Sequence, residues 1–170
     1  MRIFVFMRSA LPCLVVAFGI GTACAASPET TPGPREIAAI DTCLAKADTE
    51  KTGYRDCVGK AIDACLDVDN PGAVFDCQDR ETAIWDRKLN QSYGILMQGL
   101  TPAAKTRLRD MQRSWLSYLE KRCSYEQLWS PGTTGALKRE HGCRLEMTAD
   151  RMMDLAVLRE RLDRRGGHGP

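Results

Sequence analysis

Along residues 83–96, AIWDRKLNQSYGIL, large side chains that avoid water recur at Trp85, Leu89, Tyr93 and Leu96. Steps of three and four residues put them on one face of a helix. The same rhythm returns at Leu108, Met111, Trp115, Tyr118 and Leu119, and no segment alternates apolar and polar positions as a half-buried strand would. Between the periodic stretches stand turn residues: Glu50-Lys-Thr-Gly53, Asp69-Asn-Pro-Gly72, Thr101-Pro102 as N-cap and first helical residue, and Ser130-Pro-Gly-Thr-Thr-Gly135. The pattern predicts helices over about 35–48, 53–67, 73–99, 102–128 and 137–164. The expected fold is all-α, a small helical-hairpin bundle of about five helices.

The ends of the chain read differently. Arg2 and Arg8 precede the apolar run of residues 10–20, and small residues follow at 21–26. That order is a secretory signal peptide over 1–26, with cleavage near Ala25 or Ala26. A rival reading makes Cys24 a lipid-modified cysteine, although Gly21 stands where such signals usually carry Leu. Residues 27–34 form a Pro-rich lead-in expected to lack order, and 165–170 a loose tail. Residues 35–64 read as an N-terminal helical extension and 65–164 as the main helical domain. The expected location is periplasmic or secreted, and no later stretch is apolar enough to span a membrane.

Export changes the meaning of the cysteines. Six of the eight lie beyond the signal, an even number in an oxidising compartment, which favours disulfides over a metal or a nucleophile. In an antiparallel helical hairpin, residues equidistant from the turn lie level. Cys43 and Cys57 bracket the turn near 50, Cys65 and Cys77 the turn near 71, and Cys123 and Cys143 the loop near 133, so each pair would clamp one hairpin. There is no Cys-x-x-Cys, and His141 and His168 do not cluster, so no metal is expected. Without the signal the charges balance, which removes the usual footprint of a nucleic-acid partner. They are unevenly placed: residues 27–104 hold 8 basic and 13 acidic groups, residues 105–170 hold 14 and 9.

Several polar residues sit on the rims of the apolar faces. Counting heights along folded hairpins places Asp86 near Arg151, Asn90 level with Gln112, and Glu81 roughly level with Arg122. Polar groups at a helix seam must be paired or cost several kcal/mol, so these six residues are expected to form an inter-helix network that fixes register. Glu81 and Asp86 could be called a carboxylate pair, but they point apart around the helix. No Gly-rich phosphate loop or Gly-x-Ser-x-Gly elbow occurs, and the chain is expected to be no enzyme and to use no cofactor.

Taken together, Cys77-x3-Glu81-x3-Trp85-Asp86-x2-Leu89-Asn90-x2-Tyr93, then Leu108-x3-Gln112-x2-Trp115-x2-Tyr118-x4-Cys123, a Gly-bearing loop, Cys143, and Thr148-x2-Arg151-x3-Leu155 resemble the LprI-like lysozyme-inhibitor family of exported bacterial proteins. The resemblance covers about residues 65–160 and implies a helical domain that binds a lysozyme in the envelope. Where members often carry Tyr-Arg-Asp, this chain has Tyr118-Leu119-Glu120, so Arg122 is expected to replace the missing arginine. The pair Cys43 and Cys57 belongs to the extension.

A lysozyme cleft is lined by two carboxylates. A plug for it needs a rigid protrusion with hydrogen-bond donors, presented without a large ordering cost. The segment 130–141, held at its base by Cys123 and Cys143, meets that description, and Ser130, Thr133, Thr134, Lys138, Arg139 and His141 are its candidate binding residues. The partner would be a lysozyme or another envelope protein. The alternative function is a structural or chaperone-like envelope module.

Overall fold

The computed structural model describes residues 31–50, 53–66 and 73–166. The signal-peptide segment, Cys24, most of the lead-in, residues 51–52, residues 67–72 and the last four residues lie outside the described residues. Five α-helices follow one another: α1 (Pro34–Glu50), α2 (Lys60–Cys65), α3 (Val74–Gly99), α4 (Pro102–Ser124) and α5 (Thr134–Arg164). Short 3-10 turns, Tyr54–Cys57 and Tyr125–Gln127, precede α2 and follow α4. The described residues include no strand.

Among the described residues Cys43–Cys57, Cys65–Cys77 and Cys123–Cys143 form three disulfides, with Cα separations of 5.5, 5.7 and 5.5 Å. They are the three hairpin clamps that the level-counting expects. On the chain-entropy model each restricts the unfolded chain enough to stabilise the fold by about 3 kcal/mol.

The long helices α3 and α5 are the main pairing, and α4 lies against α5 rather than along α3. Trp85, Leu89 and Leu96 of α3 are buried together with Leu145, Ala149 and Leu155 of α5. Near the end of α3 the Leu162 side chain of α5 packs directly on Gly99, where a Cβ would come within 2.6 Å of Leu162 Cδ2. α4 covers only one side of α5. That leaves Met111 and Tyr118 exposed although the periodicity assigned them to its apolar face, while Leu108 and Leu119 are buried.

Helix ends follow local chemistry. Pro34 begins α1, one residue inside the expected lead-in, because its fixed φ suits a first turn. Thr101 Oγ1 accepts from Ala104 N–H and Pro102 follows it, which starts α4. Thr133 Oγ1 accepts from Ala136 N–H at 3.2 Å, so α5 starts at Thr134 rather than 137. The expected helix over 53–67 is broken instead at Val58 and Gly59. Gly59 sits at φ +98°, a left-handed conformation that a side chain would strain.

That break serves a buried group. Glu81 of α3 has no solvent exposure, and its Oε1 accepts from Gly59 N–H at 2.7 Å and Trp85 Nε1–H at 3.1 Å. Its Oε2 accepts from Ile62 N–H at 2.9 Å. α2 has no capping side chain of its own; Glu81 caps it from across the fold, satisfying N–H groups that a helix start leaves open. Glu36 of α1, also buried, accepts from Arg80 of α3 at 3.2 Å and from Gly33 N–H. Lys88 of α3 reaches Asp41 of α1. The extension is thus fastened to α3 by carboxylates as well as by disulfides.

Glu81→Ala should destabilise the protein by about 3 kcal/mol, because three donors lose their acceptor where water does not reach. Thermal unfolding followed by circular dichroism should show the melting temperature falling by about 6–12 °C. A fall under about 2 °C would show that these donors find other partners.

Candidate functional site

Two groups of residues compete for the role of working surface: the seam polar groups and the turn joining α4 to α5. The seam is wired differently from the expected network. Asp86 does not pair with Arg151: Asn90 Nδ2 donates to Asp86 Oδ2 at 2.9 Å and to the Asp86 carbonyl at 2.8 Å, inside one helix. Asn90 therefore does not meet Gln112. Instead Arg151 Nε donates to Gln112 Oε1 at 3.0 Å, its guanidinium lies 5.9 Å from the Trp115 ring centre, and Asp154 is 3.7 Å away. Burial holds the Arg151 pKa below its ordinary value, and Asp154 partly offsets this.

Glu81 bonds to α2 and Trp85, not to Arg122. Arg122 is exposed and pairs with Glu126 at 3.0 Å, one turn along the same chain segment. Level-counting failed here because it folded α3 onto α4, whereas α5 is the helix that runs against α3. None of the three expected pairs forms, and Arg122 takes no part in a buried network.

The α4–α5 turn is shorter and more helical than the sequence suggests. Residues 128–133 lie between the 3-10 turn and α5, and Thr134, Lys138, Arg139 and His141 belong to the first turns of α5. Thr133 caps α5 and its hydroxyl donates to the Ser130 carbonyl at 2.9 Å. Arg139 donates to Glu126 at 3.2 Å, and Lys138 is exposed. His141 faces inward. Its Nδ1 lies 2.7 Å from Asp79 of α3, and that bond, opposed by burial, raises its pKa. The ring also meets Phe75 edge-on, so His141 joins α5 to α3 rather than the exposed tip.

What the sequence reading missed is the side of the turn before residue 130. Leu128 is 68% and Trp129 73% exposed, and Tyr125 and Leu137 stand open beside them. The Tyr125 and Trp129 rings meet edge to face with centroids 6.1 Å apart. A polar brace fixes this apolar tip. Gln127 Oε1 accepts from Gly132 N–H at 3.1 Å, while its Nε2 donates to Glu140 at 2.7 Å. Arg144 bridges Glu140 and Glu120, each at 3.0 Å. Gly132 adopts φ +70°, which favours glycine at that corner. Glu126 accepts from both Arg122 and Arg139, and those bonds lower its pKa. The signal in the sequence was Leu128-Trp129 directly before Ser-Pro-Gly, two large apolar residues beyond the last core position of α4.

Among the described residues, no cluster of His, Cys, Asp or Glu could hold a metal ion, and no helix is long and apolar enough to cross a membrane. The tip exposes Tyr125, Leu128 and Trp129, is tethered by Cys123–Cys143, and has Arg122 and Arg139 paired to Glu126 beside it.

Residues 65–155, more than half of the chain, match the family model described as Lysozyme inhibitor LprI. The chain belongs to the LprI lysozyme-inhibitor family. No curated protein and no solved structure matches it. The LprI match takes in the seam and both faces of the tip and begins at Cys65, so α1 and most of α2 precede it.

The seam makes a test of its own. Burial raises the Asp86 pKa from 3.8 to about 6, only partly countered by Asn90, and Asp86 Oδ1 has no hydrogen-bond partner among the described residues. Between those values the folded chain holds a proton that the unfolded chain releases. The stability contributed by Asp86 is therefore complete below about pH 4 and lost as pH rises through about 6. Asp86→Asn should remove this part of the pH dependence and raise stability at pH 7 by about 1–3 kcal/mol relative to the parent. Urea unfolding from pH 4 to 7 checks it; parallel curves for parent and variant would contradict it.

Proposed function

We propose that this protein is an exported inhibitor that binds a lysozyme and blocks its substrate cleft with the α4–α5 tip. The match to the LprI lysozyme-inhibitor family carries the reading. Three disulfides support an oxidising compartment, periplasmic or secreted, and agree with the signal peptide read from residues 1–26. The tip is favoured over the seam because Asp86 and Asn90 bond to each other and Gln112 and Arg151 are buried, whereas Leu128 and Trp129 project into solvent.

The physical fit is that of an anchor with a charged rim. Trp129 offers a large contact area at small cost in side-chain entropy, and aromatic residues at the centre of an interface commonly dominate its energy. Lys138 and Arg139 supply cationic donors beside it, suited to a cleft whose working groups are carboxylates. The Gln127 brace and the disulfide pre-order the tip, so binding need not order a loose loop. Action is by occupancy, with no bond made or broken by the inhibitor.

The exposed Leu128–Trp129 pair also suits a second reading, an envelope interaction module that holds apolar segments of other proteins. A lysis assay with oxidised protein separates the two. The parent should slow lysozyme in a concentration-dependent way. Trp129→Ala should raise the inhibition constant about 30-fold, the size expected for a central anchor. Lys138→Ala should raise it only a few-fold, as an exposed charge does. Neither should move the melting temperature. Full activity in the Trp129 variant would remove the tip from the interface, and an inert parent that holds unfolded clients would establish the second reading.

A further inference from the structure

At the opposite end of the hairpin from the tip, separated by α4 at roughly 1.5 Å per residue, the end of α3, the start of α4 and the last turns of α5 enclose an open groove of about 560 Å³. Its walls are apolar: Leu96, Leu100, Leu108, Met111 and Leu162 face it, and Met111 is half exposed. Its rim is cationic. Arg107 of α4, Arg161 of α5 and Arg165 line it, and no Asp or Glu does. None of these three guanidinium groups has an ion-pair partner among the described residues, although Glu160 and Asp163 are near in sequence. The first turn of α4 opens on the same groove through Thr101, Ala103 and Ala104. A helix start carries partial positive charge.

Apolar walls beneath three unpaired arginines are complementary to a molecule with one hydrocarbon chain and one anionic end. The volume lies within the range of small-ligand pockets, too small for a protein domain and suited to one acyl chain. We propose that this groove binds a free long-chain fatty acid, with the chain along Leu100, Met111 and Leu158 and the carboxylate held by Arg107, Arg161 and Arg165. Guanidinium is fitted for that end because it can meet both carboxylate oxygens at once. The site is independent of the tip and of the inhibitor reading.

Calorimetric titration of the purified, oxidised protein with myristate, kept below its micelle concentration, tests this. One saturable site per chain is expected. Arg107→Gln with Arg161→Gln should weaken it by about tenfold or more, as loss of charge-assisted bonds requires. Ala104→Leu, which fills the groove from the wall of α4, should weaken it by about tenfold as well. Circular dichroism of the variants should match the parent, since the arginines are exposed. Tetradecyltrimethylammonium, with the same chain and the opposite charge, should bind at least about tenfold more weakly than myristate. Equal binding of the cation, unaltered binding by both variants, or binding to phosphatidylglycerol vesicles without binding of monomeric myristate would each overturn the proposal.

Discussion

Glu81 is a carboxylate placed where no water reaches, and much of the molecule is arranged to satisfy it. Two backbone N–H groups from the start of α2 and the indole of Trp85 converge on its two oxygens. Leaving a buried acceptor unmet would cost more than each bond contributes, so this one group dictates several others. The chain must turn through Gly59 in a left-handed conformation to aim its N–H inward. The Trp85 ring must lie along α3 in one orientation. The six-residue α2, too short to persist alone, is held at its start by Glu81 and at its end by Cys65–Cys77.

The family domain and the extension therefore act as one scaffold. Glu81 lies within the segment that matches the LprI lysozyme-inhibitor family, yet two of the groups it binds, the N–H groups of Gly59 and Ile62, lie before that segment. Glu36–Arg80 and Lys88–Asp41 repeat the arrangement farther along α1. Against α3, α5 supplies Leu145, Ala149, Leu155 and the His141–Asp79 bond. Open surface includes the tip at one end and the arginine-rimmed groove at the other.

The helices and disulfides were legible in the sequence because they depend on local signals. Apolar spacing, Thr101-Pro102 and cysteines set evenly about turns are sufficient for them. The polar contacts were not, because they depend on which helices become neighbours. Asp86, Asn90, Gln112 and Arg151 were recognised as seam residues, but the partners changed once α5 rather than α4 ran against α3. Glu81 found backbone donors, which no side-chain pattern announces. The tip was located through its Gly and Thr residues and its cations. The exposed Trp129 fell between the helix predicted to end near 128 and the loop predicted to begin at 130, and His141, counted at the tip, turned inward to Asp79.

The chain's three tryptophans report separately on the scaffold, the seam and the tip. Trp85 donates to Glu81, Trp115 lies beside Arg151, and Trp129 projects into solvent. Nuclear magnetic resonance of their indole N–H signals during titration with a lysozyme is the most direct measurement. The account predicts a slowly exchanging Trp85 signal that stays in place, a Trp115 signal that moves little, and a Trp129 signal that shifts or broadens as the complex forms. A Trp129 signal unchanged at saturation, with Trp85 or Trp115 moving instead, would contradict it.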